Sequence, residues 1–418
     1  VRLDPAATVF VMFACGLGGL VGGANASPFE PMPEPILLDG LLDAENAPIA
    51  MDENFIVIAN PVTEEVFVLD LETGSLLWTL TQEDPGLAVR DWGAELEIDD
   101  GIIVVGSNAS GFGDVGIVEV FDAATGQRLH TLQANATADD RFGQSVDIDS
   151  GIIAVGADLE DFTAFPAPCG VVYLYDAQTG GLILEIGAAD TSMPQIFFGA
   201  DVALGDGVLA VNANNELLFT FDAATGAEIG AALATPTSGN YRSGSLAVES
   251  GMLFIADSDA AAPGSGTGSG AVAIFDPNGL NLIDVFSPSP YASGGNIGHR
   301  LRAAPGGLVV GGPGIDSGRG EVFAIDPGEA TTKRLFLAPN ESGENPSRFG
   351  EDVAVNAQGD VLVMAIGADV PAGNPWLYLY RGLLASNDAP CLGDANGDGV
   401  VDLADLNAVL AAFGQLCP

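Results

Sequence analysis

The stretch Arg141-Phe142-Gly143-Gln144-Ser145-Val146-Asp147-Ile148-Asp149-Ser150-Gly151-Ile152-Ile153-Ala154-Val155-Gly156-Ala157 decides the architecture, because its pattern recurs along the chain. After a variable segment the sequence continues Gly170-Val171-Val172-Tyr173-Leu174-Tyr175-Asp176-Ala177-Gln178-Thr179-Gly180 and closes with Leu182-Ile183-Leu184-Glu185-Ile186. Four short runs rich in β-branched and aromatic residues are visible, each bounded by Gly, Asp or Ser. That is the composition of antiparallel strands joined by tight turns. An Asp-x-x-Thr-Gly turn separates the third and fourth runs and returns at Asp70, Asp122, Asp176 and Asp222. Shortened forms stand at Asp276-Pro277-Asn278-Gly279 and Asp326-Pro327-Gly328, and successive aspartates are 52, 54, 46, 54 and 50 residues apart. The aspartate caps its own turn and the glycine supplies a positive φ.

Each unit opens on an aromatic-Gly or apolar-Gly pair: Trp92-Gly93, Phe142-Gly143, Phe198-Gly199, Ile297-Gly298 and Phe349-Gly350, with Ser243-Gly244 degenerate. A buried strand follows, as in Gly101-Ile102-Ile103-Val104-Val105-Gly106. The first unit begins near Pro48 and the last ends near Leu384, which makes seven units. Four-stranded units of about 50 residues, repeated in this way, predict an all-β fold, a seven-bladed β-propeller. The irregular first and fifth units leave six or eight blades open as alternatives. The seventh unit ends at Trp376-Leu377-Tyr378-Leu379-Tyr380-Arg381 without a fourth strand, while residues 36–42 (Ile36 to Leu42) have no unit of their own. That N-terminal segment is expected to complete the last blade and cover its open edge.

The repeats resemble FG-GAP repeats, the units of integrin-α-type propellers. The likeness rests on the Phe-Gly pairs, on Gly156-Ala157 and Gly312-Pro313 after the second strand, and on the Gly-x-Val-Tyr-like third strand. It implies a ring that presents an interaction face. The Asp-x-Asp-x-Asp-Gly loop with which some members bind calcium in their blades is missing from these units; Asp158, Glu160 and Asp161, or Asp257 and Asp259, are spaced differently. One segment, Asp70-Leu71-Glu72-Thr73-Gly74-Ser75-Leu76-Leu77-Trp78, is similar to a blade motif of quinone-cofactor dehydrogenases, in which the Trp docks between blades. The other units put Leu, Ile or nothing regular at the Trp position.

Acidic residues number 57 against 12 basic ones, for a formal net charge of -45, and 48% of residues are hydrophobic. Such a chain has ample material for a core, so wholesale disorder is excluded. Its charge repels phosphate backbones and anionic lipid, which excludes nucleic-acid binding and polybasic membrane docking. Residues Ala6 to Val21 form an uncharged apolar run that leads to Ala24-Asn25-Ala26-Ser27, the small-residue pattern a signal peptidase accepts. Residues 1–26 therefore read as a signal peptide, and the expectation is a secreted or cell-surface protein with no membrane span after cleavage. Of the cysteines beyond it, Cys391 and Cys417 bracket one compact motif and Cys169 is left over in a Pro-rich loop. Export permits a Cys391–Cys417 disulfide.

The motif between those cysteines is Gly393-Asp394-Ala395-Asn396-Gly397-Asp398-Gly399-Val400-Val401-Asp402-Leu403-Ala404-Asp405. Oxygen-bearing side chains fall at loop positions 1, 3, 5, 9 and 12 with Gly399 at 6, the EF-hand spacing, which gathers the oxygens a hard cation requires. Asp394, Asn396, Asp398, the Val400 carbonyl, Asp402 and Asp405 are the expected calcium ligands. Leu403, Leu406, Val409, Leu410 and Phe413 then share one face of a helix. Residues 386–418 closely resemble one half of a dockerin, in particular the cysteine-flanked GC-type modules. The resemblance implies a small α-helical calcium module that anchors its carrier outside the cell through a cohesin-like or envelope partner. Residues 27–385 would be the propeller.

Catalytic arrangements are sparse. His130 and His299 stand in different units; His130 reads as a packed residue of a fourth strand, and His299, beside Arg300 and Arg302, as a loop or channel-rim residue. No Gly-x-Ser-x-Gly elbow, Cys/His cluster or phosphate loop occurs. The reading is an exported, non-catalytic propeller that presents a face to an extracellular protein or glycan. A carbohydrate-active or quinone-dependent enzyme on the same ring is the alternative.

Overall fold

The computed structural model describes residues 36–37, 47–82, 92–107, 116–133, 140–159, 170–187, 197–213, 217–233, 246–258, 270–286, 296–318, 320–326, 331–335, 348–366 and 375–384. They form seven four-stranded antiparallel sheets. Blade 1 consists of Ile49–Met51, Phe55–Asn60, Glu65–Asp70 and Leu76–Thr81, and blade 2 of Trp92–Asp99, Ile102–Ser107, Val118–Asp122 and Gln127–Leu132. Blade 3 consists of Phe142–Asp149, Ile152–Ala157, Val171–Asp176 and Leu182–Gly187, and blade 4 of Asp201–Gly205, Val208–Ala213, Leu217–Asp222 and Glu228–Leu233. Leu246–Glu249, Met252–Asp257, Ala271–Asp276 and Asn281–Phe286 make blade 5; Leu301–Ala304, Gly307–Gly312, Glu321–Asp326 and Thr331–Leu335 make blade 6. Blade 7 takes Val353–Val355, Val361–Ile366 and Pro375–Tyr380 from the end of the repeat array, and its fourth strand is Ile36–Leu37, registered Ile36↔Leu377 and Leu37↔Trp376. The first strand of every blade packs on that of the next, and the first strand of blade 7 packs on that of blade 1. The ring is a closed, seven-bladed propeller.

No blade owns a core. The buried apolar residues divide into seven clusters, and each lies between two neighbouring blades. The aromatic-Gly pair explains how. Trp92, Phe142, Phe198, Ile297 and Phe349 are all fully buried, and Phe142 meets Tyr173 and Tyr175 edge-on at 5.6 and 6.2 Å. The glycine that follows has to bring its backbone against the preceding blade: Gly143 sits at φ +87°, and a Cβ there would lie 3.1 Å from the carbonyl oxygens of Ser107 and Ile117. Both the left-handed conformation and the close approach select glycine.

The turn motif works in the same way. In each Asp-x-x-Thr-Gly turn the aspartate accepts from the threonine N–H and hydroxyl at 2.6–2.8 Å, as Asp70 does from Thr73 at 2.7 and 2.6 Å. The turn glycine then lies over a side chain of the preceding blade, Gly126 over the Trp78 ring and Gly180 over the His130 ring. First and second strands of blades 2 to 5 join through two-residue turns with both φ positive: Asp100-Gly101, Ser150-Gly151, Asp206-Gly207 and Ser250-Gly251. Those are the turns that match strand twist in a hairpin. Along antiparallel strands, both kinds of turn fall on the same face of the ring.

The signal-peptide residues, all four cysteines and the calcium motif of 386–418 lie outside the described residues.

Truncation of one interblade aromatic should be felt by the whole ring. Phe142→Ala is expected to cost about 3–5 kcal/mol in chemical denaturation. Leu282→Ser, on an exposed outer strand, should change stability by less than about 0.5 kcal/mol.

Candidate functional site: the charged central channel

The inner strands alternate, with apolar residues turned into the interblade cores and the residues between them turned to the axis. Strand register assigns the axial residues to three layers. The middle layer is Ala50, Glu97, Asp147, Ala203, Ala247, Arg302 and Ala354, each paired with the corresponding residue of its second strand. Two residues earlier stand Glu95, Ser145, Asp201, Arg300 and Asp352; two residues later stand Asp52, Asp99, Asp149, Gly205, Glu249, Ala304 and Asn356. Part of these layers lines a cavity of about 180 Å³, whose wall includes seven carboxylates (Glu95, Glu97, Asp147, Asp149, Asp201, Glu249 and Asp352) and two guanidiniums, Arg300 and Arg302.

Arg302 decides the geometry of this cavity. Its Nη2 lies 2.7 Å from Glu97 Oε1, so a side chain of blade 6 reaches one of blade 2 on the far side of the ring. Ala50, Ala247 and Ala354 of the same layer also line the cavity. Burial works against the Arg302 charge, but Glu97, Asp352, Asp147 and Glu95 outweigh it and the pKa rises. Glu97 is pushed up to about 6 by burial, with Arg302 opposing. Asp147 is held well above the usual carboxylate range by burial and by Glu97, although it accepts from the Leu204 N–H at 2.6 Å and the Ile148 N–H at 2.8 Å. Arg300 Nε stands 3.6 Å from Asp352 Oδ1, whose other oxygen accepts from the Ile49 N–H at 3.0 Å.

The charged residues of the turn-side layer, Asp52, Asp99, Asp149 and Glu249, are all acids. Burial raises Asp99 to about 6, with Asp100 adding to it, and raises Asp149 and Glu249. Three of these inner turns are tied across blades by a carboxylate that accepts a backbone N–H: Asp52 from Gly101 at 2.9 Å, Asp99 from Ser150 at 3.0 Å and Asp206 from Gly251 at 2.7 Å. Among the described residues no grouping of three His, Cys, Asp or Glu side chains is arranged to hold a metal ion.

The sequence-expected residues fall out as follows. His299 lies in the chain entering the first strand of blade 6, its Nε2 3.7 Å from Glu351 of blade 7, and Arg348 binds the same Glu351 oxygen at 2.6 Å. His130 packs on the outer strand of blade 2, its Nε2 2.9 Å from the Gln178 carbonyl. Trp78, His130 and Leu184 each stand eight residues after a turn aspartate and face the next blade's turn glycine. Asp158 is buried against Arg141 at 2.9 Å, and burial lifts its pKa to about 6. Glu97, Asp147 and the lower acids went unmarked in the sequence. Their signal was the alternation Glu95-x-Glu97-x-Asp99 and Asp147-x-Asp149 on strands otherwise apolar.

Residues 26–262 match the sequence profile of the family described as outer membrane protein assembly factor BamB. The chain belongs to that family. No curated protein matches it. Among solved structures it is similar to the computationally designed Ika8 protein, at 16% identity and a TM-score of 0.46 over 82% of this chain and 99% of that one.

The channel pKa values set a pH dependence. Glu97, Asp99, Asp149 and Glu249 have folded values above their unfolded ones, so the native state holds their protons more tightly, and stability falls as pH rises from about 4 through 6. Asp70, Asp176 and Asp222 are lowered, chiefly by their threonine hydroxyls; their contribution is lost only below about pH 4. Calorimetry should therefore give a higher Tm at pH 5 than at pH 8. Asp99→Asn should raise the pH 8 value and narrow the difference. Arg302→Ala, which leaves Glu97 without its counter-charge, should cost about 3 kcal/mol at pH 8 and less at pH 5.

Proposed function

We propose that this chain is an exported, non-catalytic propeller that presents an interaction face to an extracellular protein or glycan and is attached outside the cell by a calcium-loaded tail. The observation that carries the reading is the Arg302–Glu97 pair: the strongest charges of the channel are spent on each other across the ring. A group engaged in this way holds blades together and is not free to work on a substrate. The family description, an outer membrane protein assembly factor, is a role of the docking kind and supports the reading. The likeness of the Phe-Gly pairs to FG-GAP repeats supports it too, since those build rings that present a face. Asp394, Asn396, Asp398, the Val400 carbonyl, Asp402 and Asp405 would hold the calcium, and a Cys391–Cys417 disulfide would close the module around it.

The raised carboxylates Glu97 and Asp147 favour a second reading, a carbohydrate-active enzyme, because perturbed acids in a cavity are the material of glycoside hydrolysis. A quinone-dependent enzyme is less suited. An anionic quinone would face seven wall carboxylates and two guanidiniums already opposed by Glu97 and Asp352.

Calorimetric titration of the full chain should show one bound calcium, lost in the Asp394→Ala/Asp398→Ala variant. Envelope fractions of the producing cell should retain the calcium-loaded chain and release it to chelator. Retention that ignores both chelator and variant would sink the tethering. Turnover of an oligosaccharide, abolished by Glu97→Gln, would move the assignment to the second reading.

A further inference from the structure

The fourth strands of blades 1 to 5 share an irregularity that the channel does not need. In each, the pairing with the third strand passes over one residue: Leu77, Leu129, Ile183, Ile229 and Ile283. Each of these stands seven residues after the turn aspartate of its blade, Asp70, Asp122, Asp176, Asp222 or Asp276. A bulge spoils an outer strand as a template for another strand, and a polar residue would do that as well as an apolar one. All five are nevertheless Leu or Ile. Leu77 is 38% exposed, Leu129 39%, Ile183 41% and Ile283 57%, and Leu76, Trp78, Leu182 and Leu282 beside them are exposed too. Single exposed leucines are ordinary on protein surfaces. A large aliphatic repeated at one structural position on successive blades is a band.

Alongside the band runs a row of carboxylates. The turn aspartates are half-buried, and the threonine bonds that keep Asp70, Asp176 and Asp222 below the usual carboxylate range keep them ionised at neutral pH. We propose that this rim is the docking surface for a cationic amphipathic helix of a partner protein, whose apolar stripe covers the bulge residues while its flanking Lys or Arg side chains meet the turn aspartates. The inference rests on reading the ring as a docking platform. An added strand is turned away by the bulges. A second copy would bring a charge of -45 against its like. The tail of residues 386–418 carries five acids and no Lys or Arg, so it offers nothing to the aspartates.

The test uses a fluorescein-labelled Leu/Lys helical peptide of about 18 residues, roughly 27 Å long, and an equally charged peptide with Ser in place of Leu. Anisotropy titrations with the full chain in chelator, at about 0.15 M salt so that long-range attraction is screened, should show the Leu peptide binding at least about tenfold tighter. That margin should vanish in a Leu77→Ser/Leu129→Ser/Ile183→Ser chain with unchanged near-UV circular dichroism. Equal affinity of the two peptides overturns the proposal, as does an unchanged margin in the variant. Dimerisation of the wild type that the variant abolishes would assign the rim to a second copy and likewise overturn it. Should the triple variant misfold, Leu129→Ser and Ile183→Ser singly carry the test, each expected to weaken the Leu peptide about two- to threefold. Chelator is present throughout, so failure of calcium tethering leaves this result untouched.

Discussion

Every blade of this ring depends on its neighbours for burial, and that constraint shapes the rest of the molecule. A four-stranded sheet of this size cannot bury both faces alone, so the apolar faces meet in seven shared cores and each interface is held by the two beside it. A row of such blades would leave one apolar face open at each end. Closure removes both. At the junction where blade 7 meets blade 1, side chains take over what chain connectivity supplies elsewhere. Asp352 accepts from the Ile49 N–H, Asn356 donates to the Asp52 carbonyl at 3.3 Å, and Glu53 accepts from the Ala357 N–H at 3.1 Å. Arg381 follows the third strand of blade 7 and binds Asp360 at 2.8 Å, then reaches Glu72 and the Leu71 carbonyl of blade 1, both at 3.2 Å.

The same dependence accounts for what could be read from the sequence. The turn aspartates recur because each caps its own turn, and the turn glycines and Phe-Gly pairs recur because each brings backbone against the preceding blade. Repetition of that sort exposes both the unit and its count. Trp78 is a different case. It looks like a motif of its own until its position is seen to be shared with His130 and Leu184, three unlike side chains that all pack against the next blade's turn. The bulges at Leu77 and its counterparts fall on a recurring Leu or Ile seven residues after the turn aspartate, but a bulge is a property of pairing and that residue alone does not announce it.

The channel was legible only in part, for a different reason. Alternating acids on the first strands say that one side of each strand is polar, and the closed ring turns that side to the axis. The pairing of Arg302 with Glu97 spans 205 residues of sequence, and no local pattern announces it. It follows from closure of the ring, which turns the first strands of blades 2 and 6 to one axis.

Charge and burial together then separate the two surfaces that could carry function. At the axis, carboxylates are desolvated, their pKa values rise, and the cations that face them are already engaged. Such a network favours one closed arrangement of blades, and a ligand would have to break it before gaining anything. At the outer rim the order is reversed. The turn carboxylates reach the surface, and the bulge residues Leu77, Leu129, Ile183 and Ile283 are uncovered. A partner at the rim gains apolar burial and charge complementarity at little structural cost, whereas one at the axis must first take Glu97 from Arg302. On that balance the proposed docking surface is the circumference of the ring, and a ligand at the axis would compete with the Arg302–Glu97 pair.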